Sequence, residues 1–167
     1  LLLEALALAV GQMPDLKLVK TGPPFSAALV ARLRLDEHII DLGRIAAERL
    51  PQVLGAGDAA VLPLEDNDSN RARVPFKFTD YLAAGRPVVS NLVGDLREYY
   101  APGRRSIGLA GEPTPQAFAQ AMVDIFAPGC EREQMGENAR ALAQESFSWV
   151  SLADQWERFV EAWLKAR

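Results

Sequence analysis

The stretch that most constrains the fold covers residues 75–90 and reads PFKFTDYLAAGRPVVS. Proline has a fixed φ that suits the first residue of a helix, so Pro75 predicts a helix that continues over residues 76–84. Gly85 stands where helices commonly end in the left-handed conformation. The run 87–90 opens with a proline, which prevents the helix from continuing, and is then apolar and β-branched like a buried strand. A helix that leads through one glycine into a buried strand is half of a parallel α/β unit.

The first turn of this helix carries the main functional signal. Neither Arg73 nor Val74 can cap the free N–H groups of a helix start, and Lys77 lies within the turn. Free amides, the positive end of the helix dipole and nearby cations together form an anion site. Along the helix axis, Asp80 is close enough to a diphosphate bound at the helix start to reach the ribose beside it. Its carboxylate could then accept hydrogen bonds from the two vicinal hydroxyls of that ribose. The residues leave one alternative open, which is a surface ion pair between Lys77 and Asp80.

Short apolar runs alternate with helical segments along the rest of the chain. The predicted strands cover 16–20, 38–42, 59–64, 87–90 and 106–110, and the further predicted helices cover 1–10, 25–33, 46–54, 94–100, 114–126, 131–145 and 150–166. This alternation predicts one α/β domain over residues 1–167, Rossmann-like, with a parallel sheet between two helical layers (αβα). In such folds, ligands bind beyond the carboxyl ends of the strands. The polar loop 65–74 and the glycine turns after the first two strands are predicted to lie at that edge.

Charge and composition disfavour several classes of function. The net charge is −4, with acidic and basic residues mixed along the chain, which disfavours a nucleic-acid partner or a polybasic membrane contact. The single cysteine, Cys130, cannot form an internal disulfide and is typical of a reducing compartment such as the cytoplasm. No segment is long and apolar enough to span a bilayer, and no His, Cys and carboxylate cluster has the spacing of a metal site.

Five segments, in chain order, resemble the landmarks of a known family. They read LKLVKTGPP, HIIDLGRI, ERLPQVLGAGDAAVLPL, FKFTDYLAAGRPVVSNLVGDLREYY and MGENARALAQESFSW. On these segments the chain resembles the C-terminal, nucleotide-sugar-binding half of a GT-B glycosyltransferase of the bacterial hexosyl and mannosyl transferase group (glycosyl transferases group 1). The resemblance implies an enzyme that transfers a sugar from a nucleoside diphosphate to an acceptor hydroxyl in polysaccharide or glycoconjugate synthesis. It also implies an enzyme in the cytoplasm or at the inner membrane face, without cofactor or metal.

The same resemblance implies which residues contact the donor. Asp80 would hold the ribose hydroxyls, while Lys77 and the amides of the helix start would meet the diphosphate. Ile45 would lie against the base, and Gly22 would pass close to the donor. The implied nucleotide-sugar-binding residues are Gly22, Arg44, Ile45, Lys77, Phe78, Thr79 and Asp80, with no metal ligand and no catalytic residue assigned.

The chain departs from the family pattern in two respects. Ala72 stands eight residues before Asp80, where the family carries the first acid of its E-x7-E motif. The first strand of the fold should precede Leu1, so the chain is expected to be a fragment whose N-terminal acceptor-binding domain is missing. The helix 150–167 would cross to that domain, and its apolar stripe should then be uncovered here. Two alternatives remain: a non-catalytic scaffold, and a dinucleotide-binding domain, for which TGPPFS lacks the glycine fingerprint.

Overall fold

The computed structural model describes residues 1–166, which form an α/β structure. The helices are α1 (Leu2–Gln12), α2 (Ala27–Arg32), α3 (Leu50–Ala56), α4 (Asp68–Arg71), α5 (Phe76–Ala83), α6 (Leu96–Tyr99), α7 (Pro115–Asp124), α8 (Arg132–Leu142) and α9 (Trp149–Lys165). The strands are β1 (Leu18–Lys20), β2 (Ile39–Asp41), β3 (Ala60–Leu62), β4 (Val88–Ser90) and β5 (Gly108–Ala110). A 3₁₀ turn, Ala47–Arg49, leads into α3, and a π-helical turn, Ala143–Phe147, extends α8.

Every strand pair is parallel, which confirms the predicted Rossmann-like α/β fold. β1 pairs with β2 so that Leu18 lies opposite Ile39. A second sheet has the order β3-β4-β5, with Ala60 opposite Val88 and Val88 opposite Gly108. The single sheet predicted from the sequence is therefore present as two separate parallel sheets.

A cavity of about 420 Å³ lies between the two sheets. Its walls include Leu18 and Val19 of β1 together with Ala60 and Val61 of β3, while Leu6 of α1 contributes from one helical layer. Within residues 1–166, neither β1 nor β3 has a strand partner on the side that faces the cavity. The sheet is thus interrupted between β1 and β3.

Two apolar clusters form the core, one on each face of the β3-β4-β5 sheet, since Val89 of β4 belongs to the first and Val88 to the second. In the first, Leu6 of α1 packs with Phe118 and Ile125 of the α7 region. In the second, Phe78 and Leu82 of α5 pack with buried residues of β3, β4, α6 and α8. The second cluster fixes the position of α5, the helix on which the functional prediction rests.

The ends of several elements differ from the prediction. Pro75 is not the first helical residue but precedes α5 in an extended conformation, with ψ of 133°. The predicted loop 65–74 contains the short helix α4, because the side chain of Asn67 accepts a hydrogen bond from the N–H of Asn70 and caps it. Each strand is only three residues long, shorter than predicted, because only these residues pair with a neighbouring strand.

Helix α9 presents its apolar side chains to solvent. Trp156, Phe159 and Trp163 are 66%, 62% and 47% exposed, so the stripe is uncovered in this chain, as the sequence predicts. The predicted helical segment 150–167 ends at Arg167, which lies outside the described residues. Among residues 1–166 no helix has both the length and the apolar character that a bilayer crossing requires.

Candidate functional site

The start of α5 lies at the carboxyl end of β3 and carries no side-chain cap. Pro75, the residue before the helix, makes no capping hydrogen bond, and Phe76 is 88% exposed. Lys77 is exposed, and its ammonium group makes no hydrogen bond or ion pair within residues 1–166. A positive helix end with an unpaired cation beside it attracts anions.

Asp80 is exposed one turn further along α5. Its carboxylate forms no ion pair with Lys77 or with any other residue of the described chain. The surface ion pair that the sequence left open is therefore not formed. Both charges remain available to a ligand at the same end of the helix.

Phe78, one of the predicted donor-binding residues, lies in the first turn of α5. Its N–H donates to the carbonyl oxygen of Pro75 at 2.9 Å. The ring is fully buried and packs 5.5 Å, between centroids, from the ring of Tyr99. Phe78 thus anchors α5 to the core. The neighbouring Thr79 hydroxyl donates to the carbonyl oxygen of Phe76 at 2.9 Å.

A buried asparagine that sequence reasoning missed holds the chain at the end of β3. The Asn91 side chain is fully buried; it accepts from the N–H of Leu64 and donates to its carbonyl oxygen, both at 2.7 Å. These two hydrogen bonds hold the segments after β3 and β4 together beyond the last backbone pair of the two strands. The position of Asn91 directly after the strand-like run PVVS is the feature of the sequence that could have pointed to this role.

The loop that follows Leu64 is held by a second buried asparagine. Asn70 is 8% exposed and donates to the carbonyl oxygen of Glu65 at 2.9 Å. Its Oδ1 accepts from Nη2 of Arg73 at 2.8 Å. Nearby, Arg71 pairs with Asp66 at 2.6 Å, and this hydrogen bond holds the pKa of the Asp66 carboxyl below its usual value. The segment leading to Lys77 is therefore ordered by its own polar contacts.

The turns after β1 and β2 contact each other. Gly22 and Gly43 have φ of 92° and 59°, in the left-handed region that glycine favours, and the N–H of Gly22 donates to the carbonyl oxygen of Gly43 at 2.7 Å. Lys20 pairs with Asp41 at 2.7 Å. The hydrogen bond from Lys20, and a second from the N–H of Gly43, lower the pKa of Asp41.

The predicted site residues fall into two groups. Gly22, exposed Arg44 and half-buried Ile45 lie at the carboxyl ends of β1 and β2. Lys77 and Asp80 lie on α5, which follows β3. No hydrogen bond or ion pair within residues 1–166 joins the two groups. In the same part of the chain, no three His, Cys, Asp or Glu side chains are grouped as metal ligands would be.

Comparison with known proteins gives a consistent result. Residues 1–127 match the profile of the family described as Glycosyl transferases group 1. Over 140 residues the chain is 26% identical to MMP alpha-(1->4)-mannosyltransferase of Mycolicibacterium hassiacum, a match that covers 83% of this chain and 32% of that protein.

Solved structures show the same fold. Sucrose-phosphate synthase from Thermosynechococcus elongatus superposes with a TM-score of 0.75 at 25% identity, covering 99% of this chain and 43% of that one. HepE from Anabaena, solved with UDP and glucose, superposes with a TM-score of 0.74 at 20% identity, covering 96% of this chain and 44% of that one. The chain thus spans less than half the length of these relatives.

Proposed function

The chain belongs to the glycosyl transferases of group 1, and from that premise we propose that it binds the nucleoside-diphosphate sugar that a glycosyltransferase uses as donor. The transfer would go to an acceptor hydroxyl in polysaccharide or glycoconjugate synthesis. An acceptor-binding domain outside residues 1–167 would complete the enzyme, and any contact with a membrane would come through that domain or through the acceptor. We place the reaction in the cytoplasm or at the inner membrane face.

The observation that carries the proposal is the uncapped start of α5 with two unpaired charges beside it. Lys77 supplies a cation that no acidic side chain of residues 1–166 neutralises, and the helix dipole adds to its field. Asp80 supplies an acceptor for vicinal hydroxyls. A nucleoside diphosphate carries both complementary groups, which are the negative diphosphate and the ribose diol.

The chemistry assigned to these residues is stabilisation of the leaving group. When the sugar is transferred, its bond to the diphosphate breaks and negative charge develops on the departing oxygen. A preorganised cation and oriented helix amides stabilise that charge. We propose that Lys77 and the start of α5 do so without a metal ion. Gly22, Arg44 and Ile45 would form the opposite wall, with Ile45 against the base.

A second candidate function follows from Ala72, which is exposed at the end of α4. The methyl side chain of Ala72 cannot accept the hydrogen bonds that a carboxylate at this position would accept from the sugar hydroxyls. A chain without that contact could serve as a non-catalytic scaffold that binds no donor. Exposed Asp66, before α4, and Asp68, its first residue, both contact Arg71, and they are the carboxylates near Ala72 that would take over the contact.

Calorimetric titration of the full-length protein with UDP, GDP, ADP and pyrophosphate separates the two functions. Lys77→Ala should weaken binding of the preferred nucleotide and of pyrophosphate about tenfold, because a charge-assisted hydrogen bond is lost. Asp80→Asn should weaken the nucleotide but leave pyrophosphate unchanged, because pyrophosphate has no ribose. Binding of none of these ligands would favour the scaffold.

A further inference from the structure

The three basic residues around the start of α5 differ in how far their charge is neutralised. Arg71 contacts two carboxylates, at 2.6 Å from Asp66 and 3.7 Å from Asp68. Arg73 has only the neutral amide oxygen of Asn70 as a partner, and Lys77 has no side-chain partner within residues 1–166. An anion at this end of the helix would therefore meet two uncompensated cations, Arg73 and Lys77.

Arg73 is held by a side chain that is itself fixed. Asn70 is 8% exposed, its Nδ2 donates to the carbonyl oxygen of Glu65, and its own N–H is capped by the Asn67 side chain at 2.9 Å. Only Oδ1 of Asn70 is left to hold the guanidinium. Because the Asn70 amide is neutral, it does not compensate the charge of Arg73. Because it is buried and fixed, it restricts the rotamers of Arg73, which lowers the entropy cost of binding an anion.

The loop that carries Asn70 is fastened to the sheet at two points. Asn91 pairs with both backbone groups of Leu64 at the start of the loop. At Gly94, φ is 57° and an added Cβ would come within 2.8 Å of the carbonyl oxygen of Asn70, so the two backbones are in close contact. The position of Arg73 relative to α5 is therefore set by the fold.

We propose that Arg73 is a second cationic contact for the diphosphate of the donor, acting beside Lys77 and positioned by Asn70. This inference rests on the proposed function of the same site. Only Val74 separates Arg73 from Pro75, so the Arg73 guanidinium can reach the region in front of the first turn of α5. A planar guanidinium presents two parallel N–H donors to two phosphate oxygens, whereas the ammonium group of lysine acts as a compact point charge.

The test measures the affinity of the full-length protein for UDP, GDP, ADP and pyrophosphate at low and high salt. Arg73→Gln should weaken both the preferred nucleotide and pyrophosphate about tenfold and reduce the salt dependence of binding, because one charge contact is lost. Arg32→Gln is the matched control; it removes the same charge from an exposed position at the end of α2, away from this loop, and should leave both affinities unchanged. Arg73→Lys should restore only part of the affinity.

Asn70→Ala tests the positioning role. It should weaken pyrophosphate binding less than Arg73→Gln does, and it should have no further effect once Arg73 is already glutamine, because both changes then act through the same guanidinium. Equal effects of Asn70→Ala in both backgrounds would overturn the positioning role. Binding that Lys77→Ala weakens but Arg73→Gln leaves unchanged would overturn this inference alone. Absence of any nucleotide or pyrophosphate binding by the unmodified protein would overturn the proposed function and this inference with it.

Discussion

Tyr100 joins the aromatic cluster of the core to the central strand β4. Its hydroxyl donates to the carbonyl oxygen of Val88 at 2.8 Å, and its ring lies 6.4 Å from that of Phe78. Burial raises the pKa of Tyr100 above its usual value, because a phenolate here would lose its hydration. The folded state therefore binds this proton more tightly than the unfolded state, in which tyrosine titrates near pH 10.

Folding stability should consequently fall as the pH rises above about 10, where the unfolded chain releases the proton and the folded chain retains it. Tyr100→Phe should cost about 0.5–1.5 kcal/mol near neutral pH for the lost hydrogen bond. Above about pH 10 its stability should fall less steeply than that of the unmodified protein. Urea unfolding across this pH range measures how steeply the free energy of unfolding falls with pH in each protein. The raised pKa values of Tyr81 and Tyr99 account for the pH dependence that remains in the variant. The same pH dependence in both proteins would contradict a role for Tyr100.

Single residues on the surface were more predictable from the sequence than buried ones. The exposure of Lys77 and Asp80 followed from their charge and from the missing cap, which are local properties. The pairing of Asn91 with Leu64 was not predictable, because it joins residues 27 positions apart and depends on the strands being adjacent. The binding roles of Lys77 and Asp80 remain predictions.

Among the helices, α8 packs against the C-terminal end of α5 through a glycine. A Cβ at Gly136 would lie 2.5 Å from the carbonyl oxygen of Gly85, so the two backbones are too close for any side chain. Gly85 ends α5 with φ of 66°, as its position in the sequence predicts. This contact fixes the far end of the helix whose first turn carries Lys77.

Gly136→Ala should therefore destabilise the protein by about 1–3 kcal/mol, because α8 must move away from α5 to accommodate the methyl group. Gly55→Ala, in α3, is the matched control. A Cβ there meets nothing within 4 Å, so the better helix propensity of alanine should stabilise the protein by roughly 0.5–1 kcal/mol. Chemical denaturation of both variants gives the two free energies of unfolding. A stabilised Gly136→Ala variant would show that α8 can shift without cost.

The type and order of the elements could be predicted because each depends on short-range signals: apolar runs, proline and glycine. Their ends could not, since strand length depends on pairing with a distant segment. The polarity of residues 65–74 predicts a loop, whereas the short helix α4 within it depends on the capping residue Asn67. In three dimensions, Asn67 accepts from the N–H of Asn70 and turns the polar stretch into a helix.

For the whole molecule, the alternation of strands and helices predicted the layered α/β architecture but not the interruption of its sheet. Parallel strands are joined by crossover connections, so strands that follow each other in sequence need not be neighbours in the sheet. The local sequence pattern therefore predicts the elements but not their order in the sheet. The sequence resemblance predicts a further strand ahead of Leu1. The structure shows that β1 and β3 border an apolar cavity instead of pairing with each other.

The backbone groups that face this cavity are those of alternate strand residues. Leu18 donates to His38 and Lys20 accepts from Leu42, so Val19, the residue between them, directs its N–H and C=O away from β2. On the other side, Ala60 donates to Pro87 of the β4 segment, so Val61 directs its backbone groups away from β4. The cavity thus has parallel, unpaired edges on both sides.

An extended apolar segment that enters the cavity parallel to β1 and β3 should pair with both edges and join the two sheets into one. Helix α1 leads into β1, so its first turn lies at the carboxyl edge, where such a strand would end before entering the helix. A chain extended ahead of Leu1 by about five Val and Ile residues and a short turn should therefore show slower amide hydrogen exchange at Val19 and Val61. The control extension has the same length but carries proline at alternate positions, which cannot donate to either edge. Equal exchange rates with the two extensions would show that the cavity does not accept a strand, and the two sheets would then be independent units of the fold.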